Sequence, residues 1–87
     1  MTALTDPDAE LAIIAARSLG EIGDTVAVPA LATAYRSENP RLRYSVVSAL
    51  ADLEDSRGDP VLVAARRDRD QIVRHKAAEA VRDRDDD

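Results

Sequence analysis

Asn39-Pro40-Arg41-Leu42-Arg43-Tyr44-Ser45-Val46-Val47-Ser48-Ala49-Leu50 returns 31 positions later as Asp70-Gln71-Ile72-Val73-Arg74-His75-Lys76-Ala77-Ala78-Glu79-Ala80-Val81. The same shift carries Leu11 onto Leu42 and Leu19 onto Leu50, with no gap. Outside this stretch, Asp24 falls on Asp55, Pro29 on Pro60, Leu31 on Leu62 and Ala34 on Ala65. A constant period near 30 residues marks a stack of small units, each of which buries its apolar face only against a neighbour.

Each unit reads as a helix, a turn, a second helix and a short link. The first helix is expected to open at Asp6-Pro7 or Asp8, because Asp caps and Pro is tolerated at the first helical position. Leu11, Ile14, Ala15, Ser18, Leu19 and Ile22 then recur at helical spacing, which predicts the buried stripe. Gly20 and Gly23 weaken the helix end, and Gly23 suits a left-handed stop. Asp24 caps a second helix with Val28, Leu31, Ala34 and Tyr35 on one face, and Ser37 to Asn39 form the link. Asn39 and Pro40 restart the pattern with Leu42, Val46, Ala49, Leu50 and Leu53. Its second helix is expected to start between Ser56 and Pro60 and to end near Arg67. Asp70 caps a last helix carrying Val73, Ala77, Ala80 and Val81. Extra apolar or small residues lie off the first stripe: Ile13 and Ala16 correspond to Tyr44 and Val47, then to His75 and Ala78. A helix flanked by equivalents on both sides needs this wider surface.

Composition narrows the function. The chain has 87 residues, enough for one small domain, and no cysteine, so no disulfide or thiolate metal site supports it. Phe and Trp are absent, which leaves an aliphatic core. Seventeen acids face twelve bases for a net charge of −5, and Lys76 is the sole lysine. This Asp-rich, Lys-poor balance resembles proteins of salt-accumulating archaea; a high-GC genome would also favour Arg, Asp, Ala and Val. Met1 to Asp8 carry no basic stretch or long apolar run, and no window approaches the ~20 apolar residues of a membrane span. A soluble, cytoplasmic protein is expected.

The segments Asn39 to Leu50 and Asp70 to Val81, together with Leu19-Gly20-Glu21-Ile22-Gly23-Asp24 and Ala27-Val28-Pro29-Ala30-Leu31, resemble the HEAT-like repeats named after phycocyanobilin lyases. The resemblance covers about residues 5 to 82. It implies an all-α, short right-handed α-α superhelix (HEAT-like solenoid) of about two and a half helix pairs, five helices in all. The single domain, residues 1–87, divides into units 5–38, 39–69 and an incomplete 70–87. In such repeats an Arg at the place of Arg43 and Arg74 pairs with acidic groups at the inter-unit link. Glu38 is the expected partner of Arg43, and Asp68 or Asp70 that of Arg74. The second helices line the concave face in this family, which makes Thr33, Arg36, Ser37, Ala64, Arg67 and Asp68 the candidate protein-binding positions.

The residues themselves offer no catalytic set, phosphate loop or metal cluster. His75 and Glu79 can meet on one helix face as a surface ion pair, but a zinc site needs further His or Cys ligands. The acidic tail, Asp83 to Asp87, reads as a solvated, frayed end. Arg66, Arg67, Arg69 and Arg74 are interleaved with Asp68 and Asp70, which argues against nucleic-acid binding. Tyr35 falls on a core face and Tyr44 on an inter-unit flank. Val73, Ala77, Ala80 and Val81 are expected to form a stripe that no later helix covers, a candidate self-association surface. These features predict a non-catalytic protein–protein interaction module or scaffold without cofactor, whose partner is another protein or a second copy. The alternatives are a regulatory or chaperone-like small subunit related to bilin-lyase-type proteins, or a purely structural homo-oligomer.

Overall fold

The computed structural model describes the backbone of residues 9–85 and the side chains up to residue 82. The helix start expected at Asp6 to Asp8 and the side chains of the tail Asp83 to Asp87 lie outside the described residues. Helix α1 (Ala9–Ile22) leads through a 3-10 turn (Thr25–Ala27) into α2 (Val28–Ala34). Helix α3 (Pro40–Leu53) leads through a second 3-10 turn (Ser56–Gly58) into α4 (Asp59–Ala65), and α5 (Gln71–Asp85) follows. Among the described residues there are no strands. The helices form two layers. In the first, α1 packs along α3 and α3 along α5; in the second, α2 lies on α3, and α4 sits over α3 and α5. This is the side-by-side stacking that the repeat predicts.

Local chemistry sets the helix boundaries. The carboxylates of Asp24, Asp55 and Asp70 and the amide oxygen of Asn39 each accept a backbone N–H two residues on, at 2.8–3.0 Å. These bonds satisfy donors that a helix start leaves unpaired. Two stops are left-handed: Gly23 at φ 77° and its counterpart Glu54 at φ 53°. Gly23 meets this demand without steric cost, and Glu54 carries some strain. The tail is more regular than expected, since the helical backbone of α5 continues through Asp85. The core is aliphatic, as the composition requires, with Val28, Leu31, Val46, Val47, Leu50, Leu62 and Val73 fully enclosed.

Two apolar faces differ from expectation. On α1 the buried residues are Ala12, Ile13, Ala16 and Gly20, while Leu11, Ile14 and Ile22 are 49%, 55% and 73% exposed. The flank next to α3 is therefore the one covered; of the predicted stripe, Leu11, Ile14, Ser18 and Ile22 face outward, while Ala15 and Leu19 are half-buried against the core. At the other end the outcome reverses. Val73, Ala77 and Ala80 are buried and Val81 is half-buried, because α5 packs this stripe onto α3 and α4. The predicted self-association surface is thus part of the core. Gly20 also has a different role from a helix weakener. A Cβ there would stand 2.9 Å from the Cα of Ala49, so the missing side chain lets α1 and α3 approach closely.

Candidate protein-binding surface

The links between units converge on one carboxylate. Arg43, on the first turn of α3, donates from Nε to Asp68 Oδ2 at 2.9 Å and from Nη2 to Oδ1 at 3.0 Å. Its Nη1 donates to the carbonyl of Ser37 in the preceding link, at 3.0 Å. One guanidinium therefore ties the link before α3 to the link after α4. Asp68 also accepts from the Tyr35 hydroxyl at 2.6 Å and from the Asp70 amide at 2.8 Å. Arg74 repeats half of the arrangement, donating to the carbonyls of Asp68 and Arg69. The partner expected for Arg43, Glu38, is exposed instead, and Asp68, expected on Arg74, belongs to Arg43. The planar fork matches a carboxylate that approaches from the far link, whereas Arg74 reaches main-chain oxygens of its own link.

Burial alone raises the Asp68 carboxyl. The hydrogen bonds from Arg43, Tyr35 and the Asp70 amide, with the Arg43 charge, outweigh it and hold the pKa at about 2 against an ordinary 3.8. Burial, then the bond to Asp68, pushes the Tyr35 hydroxyl up to about 12 from 10.0. The folded state holds fewer protons than the unfolded chain between these two carboxyl values. Stability is therefore full above pH ~4 and falls by about 2 kcal/mol as pH drops from ~4 through ~2. For Tyr35 the sign is opposite, and stability is lost as pH rises from ~10 to ~12. Urea titrations across both ranges check this. Asp68→Asn should flatten the acid limb, and Tyr35→Phe the alkaline one.

Above this buried knot lies a groove of about 290 Å³, lined by Tyr35, Arg36, Ser37, Arg43, Ala64, Arg67, Asp68 and Arg69. Five of the six predicted binding positions therefore meet at one place. Arg36, Arg67 and Ala64 are exposed, and Ser37 is half-buried. Among the described residues, no carboxylate forms an ion pair with Arg36, Arg67 or Arg69. Two positions depart from the expected role. Asp68 is 7% exposed and wholly committed to its partners, so it shapes the floor of the groove. Thr33 is exposed but lies off the groove, its hydroxyl bonded to the carbonyl of Pro29 at 3.2 Å.

A second groove, about 540 Å³, crosses the first-helix layer between Ile13, Arg17, Tyr44, Ser48 and Ile72. Tyr44, on the flank that the sequence assigns it, is accessible there beside the exposed Ile72. This groove escapes sequence reading, since it exists only because three helices lie in register; the place of Tyr44 on the inter-unit flank is the signal that the sequence carries. His75 and Glu79 do form an exposed pair at 3.4 Å. Among the described residues, no group of three or more His, Asp or Glu side chains is placed to hold a metal ion. No described helix is long and apolar enough to cross a membrane.

Helix pairs stacked at a constant repeat, with a polar knot that ties the links together and grooves open to solvent, define an α-helical repeat protein. The HEAT repeats family matches residues 1–82, and the chain belongs to that family. HEAT repeats commonly mediate protein–protein interaction. No curated protein matches the chain.

Proposed function

We propose that this chain is a non-catalytic protein-binding module, and that it holds a carboxylate-bearing segment of its partner in the groove between the ends of α2 and α4. The observation that carries the reading is the set of exposed guanidiniums of Arg36, Arg67 and Arg69 around one groove, with Asp68 neutralised beneath them by Arg43. Guanidinium forks bind carboxylates with two parallel hydrogen bonds, and Arg is enriched among residues that dominate interfaces. Ala64 and Ser37 leave room for a main chain to approach. The local positive charge sits on a chain of net charge −5, so it attracts acidic partners at this place and not over the whole surface.

Fluorescence anisotropy with a short Asp/Glu-rich peptide and its Asn/Gln counterpart tests this. The acidic peptide should bind in the micromolar range and weaken as salt rises. Arg36→Glu/Arg67→Glu should lose at least about tenfold in affinity, with unchanged helicity. Equal binding of the neutral peptide, or binding abolished by Tyr44→Ala and unaffected by the double variant, would reject the assignment.

A further inference from the structure

Each first helix of a stack has a flank for the unit before and a flank for the unit after. Positional equivalence shows what covers each. On α3 the leading flank is Leu42, Ser45, Ala49 and Leu53, all buried, with Ala49 in close approach to Gly20 of α1. The same positions on α1 are Leu11, Ile14, Ser18 and Ile22, and all four are exposed. No charged residue interrupts them along the helix face. Val26, 74% exposed, continues the patch. Its counterpart Arg57 spans the boundary between units, with Nη2 donating to the carbonyl of Thr25 at 3.0 Å. In this fold, then, the occupant of such a flank is another first helix.

The trailing flank tells which helix. Gly20 corresponds to Ala51 and then to Arg82. Where α1 has no side chain, α5 presents an exposed Arg82, with Arg74 and His75 also exposed. A helix cannot seat on α5 as α3 seats on α1. Head-to-tail stacking of copies would press Arg82 against Ser18, the counterpart of the Ala49 that Gly20 meets, and desolvate its charge. The leading flank itself, Leu11, Ile14, Ser18 and Ile22, carries no charged side chain.

We infer that α1 pairs with α1 of a second copy, antiparallel, through Leu11, Ile14, Ala15, Ser18 and Ile22. The spacing is self-complementary about a two-fold axis: Leu11 of one copy falls opposite Ile22 of the other, and Ala15 opposite Ser18. Large side chains close the two ends, and small ones at the centre allow the close helix approach that Gly20 and Ala49 already show within the chain. An isologous contact of this kind closes on itself. The exposed apolar surface is on the order of a few hundred Å² per copy, below the ~800 Å² per partner of a standard interface, so the dimer belongs in the micromolar range.

Sedimentation velocity on the full chain, from low micromolar to several hundred micromolar, reads this out. A monomer–dimer equilibrium that saturates at two copies is expected. Ile14→Glu and Ile22→Glu, both on exposed surface, should each weaken it by at least about tenfold with helicity intact, while Arg82→Ala leaves it unchanged. A monomer at every concentration means that the chain's own first residues or a different protein covers the flank, and overturns the inference. Species that grow past the dimer, or a dimer indifferent to both glutamates, overturn it equally. The peptide-binding groove lies elsewhere, so Arg36→Glu/Arg67→Glu should dimerise like the parent.

Discussion

Asp68→Ala is expected to cost about 3–5 kcal/mol of folding free energy, the largest effect of any single truncation proposed for this chain. The carboxylate is 3% exposed at its side chain and holds Arg43, itself only 7% exposed. Removing it leaves a buried guanidinium with one carbonyl, that of Ser37, as its remaining hydrogen-bond partner. It also strips the partner from Tyr35 and from the Asp70 amide at the start of α5. A domain of this size has roughly 4–13 kcal/mol in total, so the variant should be largely unfolded at moderate urea. A second variant separates a lost contact from an orphaned charge. Arg43→Met/Asp68→Leu removes both charges, and should recover a large part of the loss. Urea unfolding followed by circular dichroism measures all three proteins. An Asp68→Ala midpoint within about 1 kcal/mol of the parent would show that the knot decorates the links without holding them.

Gly20→Ala is the second large effect, and its sign is diagnostic. In an open helix this change stabilises by about 1 kcal/mol, because Ala is the better helix former. Here the added Cβ would meet the Ala49 Cα at 2.9 Å and its Cβ at 3.1 Å. The first contact is main chain, which cannot rotate away. Helix α1 must lift off α3, which loosens Ala12, Ile13 and Ala16 along the same flank. Overpacking of this kind costs about 1–3 kcal/mol, so after the propensity gain a net loss of up to about 2 kcal/mol is expected, and Gly20→Leu should lose more. Thermal unfolding distinguishes the outcomes. A raised midpoint for Gly20→Ala would mean that α1 and α3 do not touch at this point.

What could be read from the chain before its coordinates follows the range of each interaction. Asp24, Asn39, Asp55 and Asp70 act within two residues of themselves, and their capping roles are plain in the string of letters. The 31-residue period shows that equivalent helices lie side by side, because only stacked neighbours can cover such faces. It does not say which flank of an end helix is covered, so Leu11, Ile14 and Ile22 look like core and stand in solvent. The reverse holds for Val73, Ala77 and Ala80, whose cover comes from α3 and α4 of the preceding unit. Arg43 finds its carboxylate 25 residues away, past a whole helix and its 3-10 turn. Nearer Glu38 is the obvious partner on spacing and the wrong one on geometry. The Arg36 and Arg67 side of the candidate surface was legible because both sit at one equivalent place in successive units. Thr33 shares the period but not the groove, and Asp68 is the buried floor of the groove, not a free contact.

Most stacks of small helical units respond to strain one neighbour at a time, like shingles that slip independently. Arg43 removes that freedom in this chain. A pull on the Tyr35 end of α2 reaches the start of α5 through two side chains, without passing along the backbone of α3 or α4. Force applied at the link ends of the second layer is therefore shared by α2, α3, α4 and α5, which should move as one stiff plate.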